Sequence, residues 1–289
     1  MYDVIIIGAG PAGISAAIYT RRANLKVMVL YHRRSELEKA EKIENFYGFP
    51  GGISGEDLYK RGIKQAKELG VELREKEVID IALDKNLYKV VTSNEEYKGK
   101  TIIIATGNKK INPNIKGINQ FVGKGISYCA ICDGFFYRNK EVAVIGNGDY
   151  AISEAEKLEN IVKNIKILTN GLNIVQNSKV KEKNYKIDTR KIKEIRGKEK
   201  VEYIEFEDGE RLNLDGIFIA IGEAGGVDFA KKLGITMQGE NIKTDEEMQT
   251  NVKGIFACGN LTGGLFQVNK AVYEGAKAGL KVIEYIKKN

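Results

Sequence analysis

Apolar residues fall along the chain in short runs punctuated by glycine turns, alternating with stretches in which they recur every three or four positions. Val4-Ile5-Ile6-Ile7 reads as an opening strand, Ile14 to Ala23 carries helical spacing, and Lys26 to Leu30 reads as a second strand. The same order returns at Glu141 to Ile145, at Ile152 to about Asn160, and at Asn164 to Leu168. Near the C-terminus a short apolar strand, Gly254-Ile255-Phe256-Ala257-Cys258, ends in a glycine turn and precedes a helix from Gln267 to Lys287. Strand, helix and strand in this order make a βαβ unit, and two such units predict an α/β protein with two nucleotide-fold domains.

The length of 289 residues suits two domains, each able to bury its own core. Hydrophobic residues at 43% and charged residues at 29% describe a soluble globular chain, not a disordered tail or a coiled coil. The longest apolar runs fall far short of the roughly 18 residues of a membrane span. The start, Met1-Tyr2-Asp3-Val4-Ile5, has no basic segment ahead of a long apolar stretch, so no signal peptide and a cytoplasmic location are expected. Cys129, Cys132 and Cys258 are too few and too unevenly spaced for a disulfide framework, which leaves them to chemistry or packing.

Between the first strand and helix lies Gly8-Ala9-Gly10-Pro11-Ala12-Gly13. Gly8 permits the tight turn, Gly10 lets a pyrophosphate approach the backbone, Gly13 lets helix and strand pack closely, and free N–H groups at the helix start hold the phosphates. The second unit repeats the grammar as Gly146-Asn147-Gly148-Asp149-Tyr150-Ala151, with Ala in an accepted last position. Cys129-Ala130-Ile131-Cys132, with Asp133 beside it, suits a dithiol that opens and closes as a disulfide. A structural zinc site wants four ligands, and the chain offers one more cysteine, 126 positions on, and a single histidine in a different domain, so no metal is expected.

Taken with Ala105-Thr106-Gly107, with Asp133-Gly134-Phe135-Phe136 after the cysteines and with the Ala257-Cys258-Gly259-Asn260 turn, these motifs make the chain resemble the low-molecular-weight thioredoxin reductases across its whole length. The resemblance implies FAD as cofactor, thioredoxin as substrate, a homodimer, and two Rossmann-like nucleotide-binding domains, the second inserted into a discontinuous first. The FAD domain would comprise residues 1–112 and 243–289, and the inserted NAD(P)-type domain, 113–242, would carry the cysteine pair, with hinges near Asn112-Pro113 and Ile242-Lys243. By the same resemblance Cys132 faces the flavin, Cys129 attacks thioredoxin, and Asp133 is the proton donor. The inserted domain would swing so that the dithiol alternates between flavin and solvent.

The FAD positions that the resemblance implies are the residues Gly8, Gly10, Pro11, Ala12 and Gly13 of the first turn, then Thr106 and Gly107. Tyr31, His32 and Arg33 follow the second strand and are expected at the adenosine end. Asn45, within Ile43-Glu44-Asn45-Phe46, and the Gln267-Val268 dipeptide match flavin-side positions, although the Gly-Gly-Gln upstream of the former is absent and the usual Arg before the latter is Phe266. Gly259 and Asn260 stand in the second FAD turn, with Asn where relatives carry Asp. Cys258 replaces a small residue there and reads as a buried hydrophobe.

Most relatives take hydride from NADPH and carry a His-Arg-Arg-x-x-x-Arg cluster after the second strand of the inserted domain. Here that place reads Leu168-Thr169-Asn170-Gly171-Leu172-Asn173, with neither a basic cluster nor the acidic residue that would hold the ribose of NAD. The segment from Leu172 to Asn184 is short and polar, so the helix expected after that strand looks trimmed. His32-Arg33-Arg34 spells the missing tripeptide but in the first unit. Charge supports another donor: residues 114–241 hold 20 Lys and Arg against 19 Asp and Glu, and the remainder 26 against 20, so nearly all of the net +7 lies on the expected FAD domain. Basic surfaces steer acidic partners. A ferredoxin near about −400 mV reducing a disulfide near about −270 mV releases about 6 kcal/mol over two electrons.

The pattern resembles the ferredoxin-dependent flavin thioredoxin reductases. An NAD(P)H-dependent thioredoxin reductase with an unusual pocket, and a flavin-dependent dithiol oxidase using oxygen, are the alternatives. Neither a nucleic acid nor a membrane partner is expected.

Overall fold

The first glycine turn is set between β1 (Tyr2–Ile7) and α1 (Pro11–Arg22), and the chain then returns through β2 (Val27–Tyr31). Pro11 at the first helical position has its φ preset for the helix and no N–H to leave orphaned. α2 (Gly55–Glu68) leads to β3 (Glu72–Glu75), and β4 (Val78–Asp84), β5 (Leu87–Thr92) and β6 (Glu96–Ile104) follow as an antiparallel run. The computed structural model describes residues 1–32, 35–107, 114–128, 130–175, 185–221 and 225–289, apart from the side chain of Cys132.

The second unit begins with α3 (Ile118–Phe121), β7 (Ile126–Ser127) and the single turn α4 (Ala130–Asp133). β8 (Glu141–Ile145), α5 (Asp149–Leu158) and β9 (Asn164–Leu168) form its βαβ core. β10 (Lys186–Asp188), a three-stranded antiparallel sheet of β11 (Ile192–Arg196), β12 (Tyr203–Phe206) and β13 (Arg211–Asn213), and β14 (Gly216–Ile219) complete it. The chain then re-enters the first unit with α6 (Gly226–Lys232), the β15 (Met237–Gln238) and β16 (Asn241–Ile242) pair, β17 (Ile255–Ala257) and the 21-residue α7 (Val268–Lys288).

Contacts divide the chain into residues 1–109 with 225–289, and residues 110–224. The resemblance implies a return at Ile242-Lys243, but residues 225–242 group with the first unit, where the Gly226 N–H donates to the Thr106 hydroxyl at 3.1 Å and Lys232 on α6 lies 3.8 Å from Asp80 on β4. In the first unit the strand order is β3-β2-β1-β6-β5-β4, and β6 has two neighbours on one edge: its start pairs antiparallel with β5, its end parallel with β17. The second unit has a wholly parallel sheet in the order β10-β9-β8-β14-β7. Both units are Rossmann-like α/β layers, as their two glycine fingerprints require.

The first core gathers Val4, Ile6, Val29, Ile103 and Phe256 from the sheet with Ala16, Ala278 and Val282 from α1 and α7, and the second gathers Ile145, Leu168, Ile204, Phe206 and Ile217. Among the described residues no helix is long and apolar enough to cross a membrane.

Candidate functional site

The first glycine turn is shaped for close approach. A Cβ on Gly8, at φ +111, would lie 2.3 Å from the Ala105 carbonyl oxygen, and one on Gly13 would lie 1.9 Å from the Gly8 carbonyl oxygen. Only glycine lets strand and helix meet there. Gly10, by contrast, faces open space, its nearest neighbour being Ser35 Oγ at 3.7 Å. Gly10 caps α1 without any side-chain hydrogen bond, and the first turn holds no acidic residue, so the leading N–H groups and the positive end of the helix dipole are presented to an anion.

The glycine turn at Gly259 lies against this cradle. A Cβ on Gly259 would stand 2.9 Å from the Ala12 Cβ, and one on Gly275 of α7 2.1 Å from the Ala12 carbonyl oxygen. Glu274, which no motif marks, organises the turn: its Oε2 accepts from Gly259 N–H at 2.8 Å, lies 2.9 Å from the Thr262 hydroxyl, and is 3.0 Å from Lys270 Nζ. Lys270 Nζ also donates to the Gly259 carbonyl at 2.9 Å. Burial raises the Cys258 thiol far above its ordinary value, and the Glu274 charge adds to the effect, so this cysteine is an inert core residue.

Asn45 and Gln267, 222 positions apart, meet: Asn45 Nδ2 donates to Gln267 Oε1 at 3.0 Å, and Asn269 Nδ2 donates to the Asn45 carbonyl at 3.1 Å. Gln267 is the N-cap of α7 with no side-chain cap bond, and Val268 opens that helix. A cavity of about 480 Å³ borders this junction, lined by residues 44–50 and Asn269. Thr106 is engaged with α6, as above, while a Cβ on Gly107 would meet nothing within 4 Å. Tyr31 and His32 are half-buried at the end of β2, and burial, then the Glu75 charge, raises the Tyr31 phenol. The Asn260 side chain is half-buried. Arg33 lies outside the described residues.

In the second unit Cys129 and the Cys132 side chain also lie outside the described residues, but the frame around them is fixed. Ser127 Oγ donates to Asp133 Oδ2 at 2.7 Å, and Glu154 Oε2 accepts from Ala130 N–H at 2.8 Å. Burial and the Asp133 charge raise the Tyr137 phenol. Ile131, Phe135 and Phe136 are exposed to 53%, 66% and 73%, an apolar group beside the cysteine pair. Among the described residues no group of His, Cys, Asp or Glu could hold a metal ion.

The second glycine turn shares its frame with the first and differs in its mouth. A Cβ on Gly146 would lie 2.1 Å from the Ala220 carbonyl oxygen, as Gly8 does to Ala105. Residues 172–175 then fold over the turn: Val175 N–H donates to the Asn147 carbonyl at 2.9 Å, Asn147 Nδ2 donates to the Asn173 carbonyl at 2.6 Å, and a Cβ on Gly148 would meet Val175 Cγ2 at 3.2 Å. The first turn of α5 begins with Asp149, whose side chain is buried. Past β9, Thr169 is wholly buried and Asn170 Oδ1 accepts from Ile192 N–H at 2.8 Å, so neither is presented to a ribose.

Two Rossmann-like units, an open glycine cradle and a cysteine pair beside an acid define a class. The model of the pyridine nucleotide-disulphide oxidoreductases matches residues 2–275, and the chain belongs to that family. Within it, the chain is 39% identical to the thioredoxin reductase of Aquifex aeolicus (strain VF5), over 99% of this chain and 94% of that one. Among solved structures it is similar to the atypical thioredoxin reductase TRi from Desulfovibrio vulgaris Hildenborough, with a TM-score of 0.95, 37% identity and 100% and 99% of the two chains covered. It is also similar to a ferredoxin-flavin thioredoxin reductase from Clostridium acetobutylicum, with a TM-score of 0.72, 29% identity and the same coverage. The chain is thus a thioredoxin reductase flavoprotein with FAD as cofactor, and the cradle at Gly8–Gly13 and the Gly259 turn fit that group.

Proposed function

We propose that this thioredoxin reductase draws its electrons from a small acidic one-electron carrier of the ferredoxin kind, and not from a pyridine nucleotide. The observation that carries this reading is the closure of the second glycine turn by residues 172–175, together with the engagement of Thr169 and Asn170 away from any ribose. The excess positive charge on the first unit and the likeness to a ferredoxin-flavin thioredoxin reductase support it.

FAD would be held by the Gly8–Gly13 cradle and the Gly259 turn, with Asn45 and Gln267 on the flavin side, and when bound it supplies the means to collect electrons singly and release them as a pair. Cys129, as thiolate, attacks the disulfide of thioredoxin and forms a mixed disulfide. Cys132 then attacks Cys129, releasing reduced thioredoxin and closing the Cys129–Cys132 disulfide. Asp133, held by Ser127, supplies a proton to the departing thiolate. Exposed Ile131, Phe135 and Phe136 offer an apolar seat for the protein substrate. The same reading takes the enzyme as a cytoplasmic homodimer.

Mixing the oxidised holoprotein with NADPH without air, and in parallel with reduced ferredoxin, tests the donor. Flavin absorbance should persist with NADPH and bleach with ferredoxin; prompt bleaching by NADPH refutes the reading.

A further inference from the structure

Ser35 is not among the FAD positions that the resemblance implies, yet it stands beside the open face of Gly10. Among the described residues its Oγ is the nearest atom from outside the turn, 3.7 Å from where a Cβ on Gly10 would lie. The serine is the N-cap of a single helical turn, Glu36–Lys39, and closes it with a capping box: Oγ accepts from the Leu37 N–H at 3.3 Å, and the Ser35 N–H donates to Glu38 Oε1 at 2.8 Å. The Ser35 carbonyl accepts from the Glu38 N–H at 3.0 Å. This turn is mounted on the start of α2, where the Gly55 N–H donates to the Ala40 carbonyl at 2.8 Å and a Cβ on Gly55 would lie 1.8 Å from the Leu37 carbonyl oxygen.

A hydroxyl carries one donor hydrogen and two acceptor lone pairs. In Ser35 the amide, the carbonyl and one lone pair are taken, and among the described residues the O–H hydrogen has no acceptor. The donor left over stands next to the N-cap of α1, whose first turn holds no acidic residue. That helix start offers N–H groups and a positive dipole end to an anion, and an O–H beside it adds a charge-assisted hydrogen bond to the same anion.

We propose that Ser35 is a cofactor-binding residue whose hydroxyl donates to the FAD pyrophosphate at the Gly10 face of the cradle. The serine then has two tasks, capping and phosphate contact, and substitution separates them. Asn and Asp cap helices about as well as Ser. Asn brings an N–H donor, whereas Asp brings none and sets a negative charge beside the phosphates.

The test is the dissociation constant for FAD, read from flavin fluorescence as the full-length holoprotein is diluted. It should rise about tenfold in Ser35→Ala and stay within about threefold of wild type in Ser35→Thr and Ser35→Asn. In Ser35→Asp it should rise about a hundredfold, through the lost bond and the added repulsion. The phosphorus NMR resonances of bound FAD should move in Ser35→Ala and return in Ser35→Thr. A role in capping alone would make Ser35→Ala the weakest binder and Ser35→Asp the equal of Ser35→Asn. Equal affinities in the Asn and Asp variants, a tighter Asp variant, or unmoved phosphorus resonances in Ser35→Ala overturn the proposal. Should Ser35→Ala fail to fold, the comparison of Asn with Asp decides alone, because both keep the cap. No readout involves an electron donor, so the outcome is separate from that of the ferredoxin reading.

Discussion

Glu274→Ala should loosen the FAD turn more than any change of similar size at the surface. The wild-type carboxylate takes the Gly259 N–H, lies within hydrogen-bond reach of the Thr262 hydroxyl and pairs with Lys270, on side chains exposed only 11% and 16%. Truncation leaves one amide without its acceptor, at about 1–2 kcal/mol, and an ammonium without its counter-charge in a poorly solvated site, for a total of about 3 kcal/mol. With an m-value of about 2 kcal/mol per molar urea, the midpoint for flavin release, read by flavin fluorescence, should fall by about 1.5 M. Lys270→Met added to Glu274→Ala removes the stranded cation, so the double variant should recover part of the loss, a non-additivity expected of groups in direct contact. A midpoint for Glu274→Ala within about 0.3 M of wild type, or a double variant weaker than the sum of the singles, would refute the reasoning.

The two glycines of the second turn should respond differently. Gly146→Ala drives a methyl to 2.1 Å from the Ala220 carbonyl oxygen and should cost about 3 kcal/mol in the amide-exchange protection of β8, whereas Gly148→Ala meets only Val175 Cγ2 at 3.2 Å and should cost under about 1 kcal/mol; equal losses would contradict the described closure. Acid should weaken the second unit through Asp188, whose carboxyl is held below the usual range by its hydrogen bonds to Arg190. A depressed carboxylate contributes stability that is present above its unfolded value of about 3.9 and lost as pH falls through the lower folded value, so Asp188→Asn should flatten the acid unfolding curve below about pH 4 and leave neutral pH less stable.

Much of the fold is legible along the chain because its signals are local. Glu141 to Ile145 and Asn164 to Leu168 are strands with those bounds, the first glycine turn sits between β1 and α1, and Gln267 stands at the start of α7. Each depends on apolar spacing or on glycine backbone freedom within a few residues. The helix starts were less legible: helical spacing begins at Ile14 and Ile152, but the helices begin at Pro11 and Asp149, because a first turn over a glycine cradle is packed by backbone contact and carries no apolar repeat.

What composition and spacing determined by themselves is the pair of nucleotide folds, the cysteine pair with its acid, and the want of a ribose reader after β9. Only the tertiary structure decided that the second glycine turn is covered by residues 172–175, that Asn45 meets Gln267, and that Glu154 and Glu274 hold the backbone at Ala130 and Gly259. The physical reason is that these contacts join side chains to distant backbone groups. A carboxylate reads the same in sequence whether it is solvated on a helix face or turned inward to an amide, and only packing settles which.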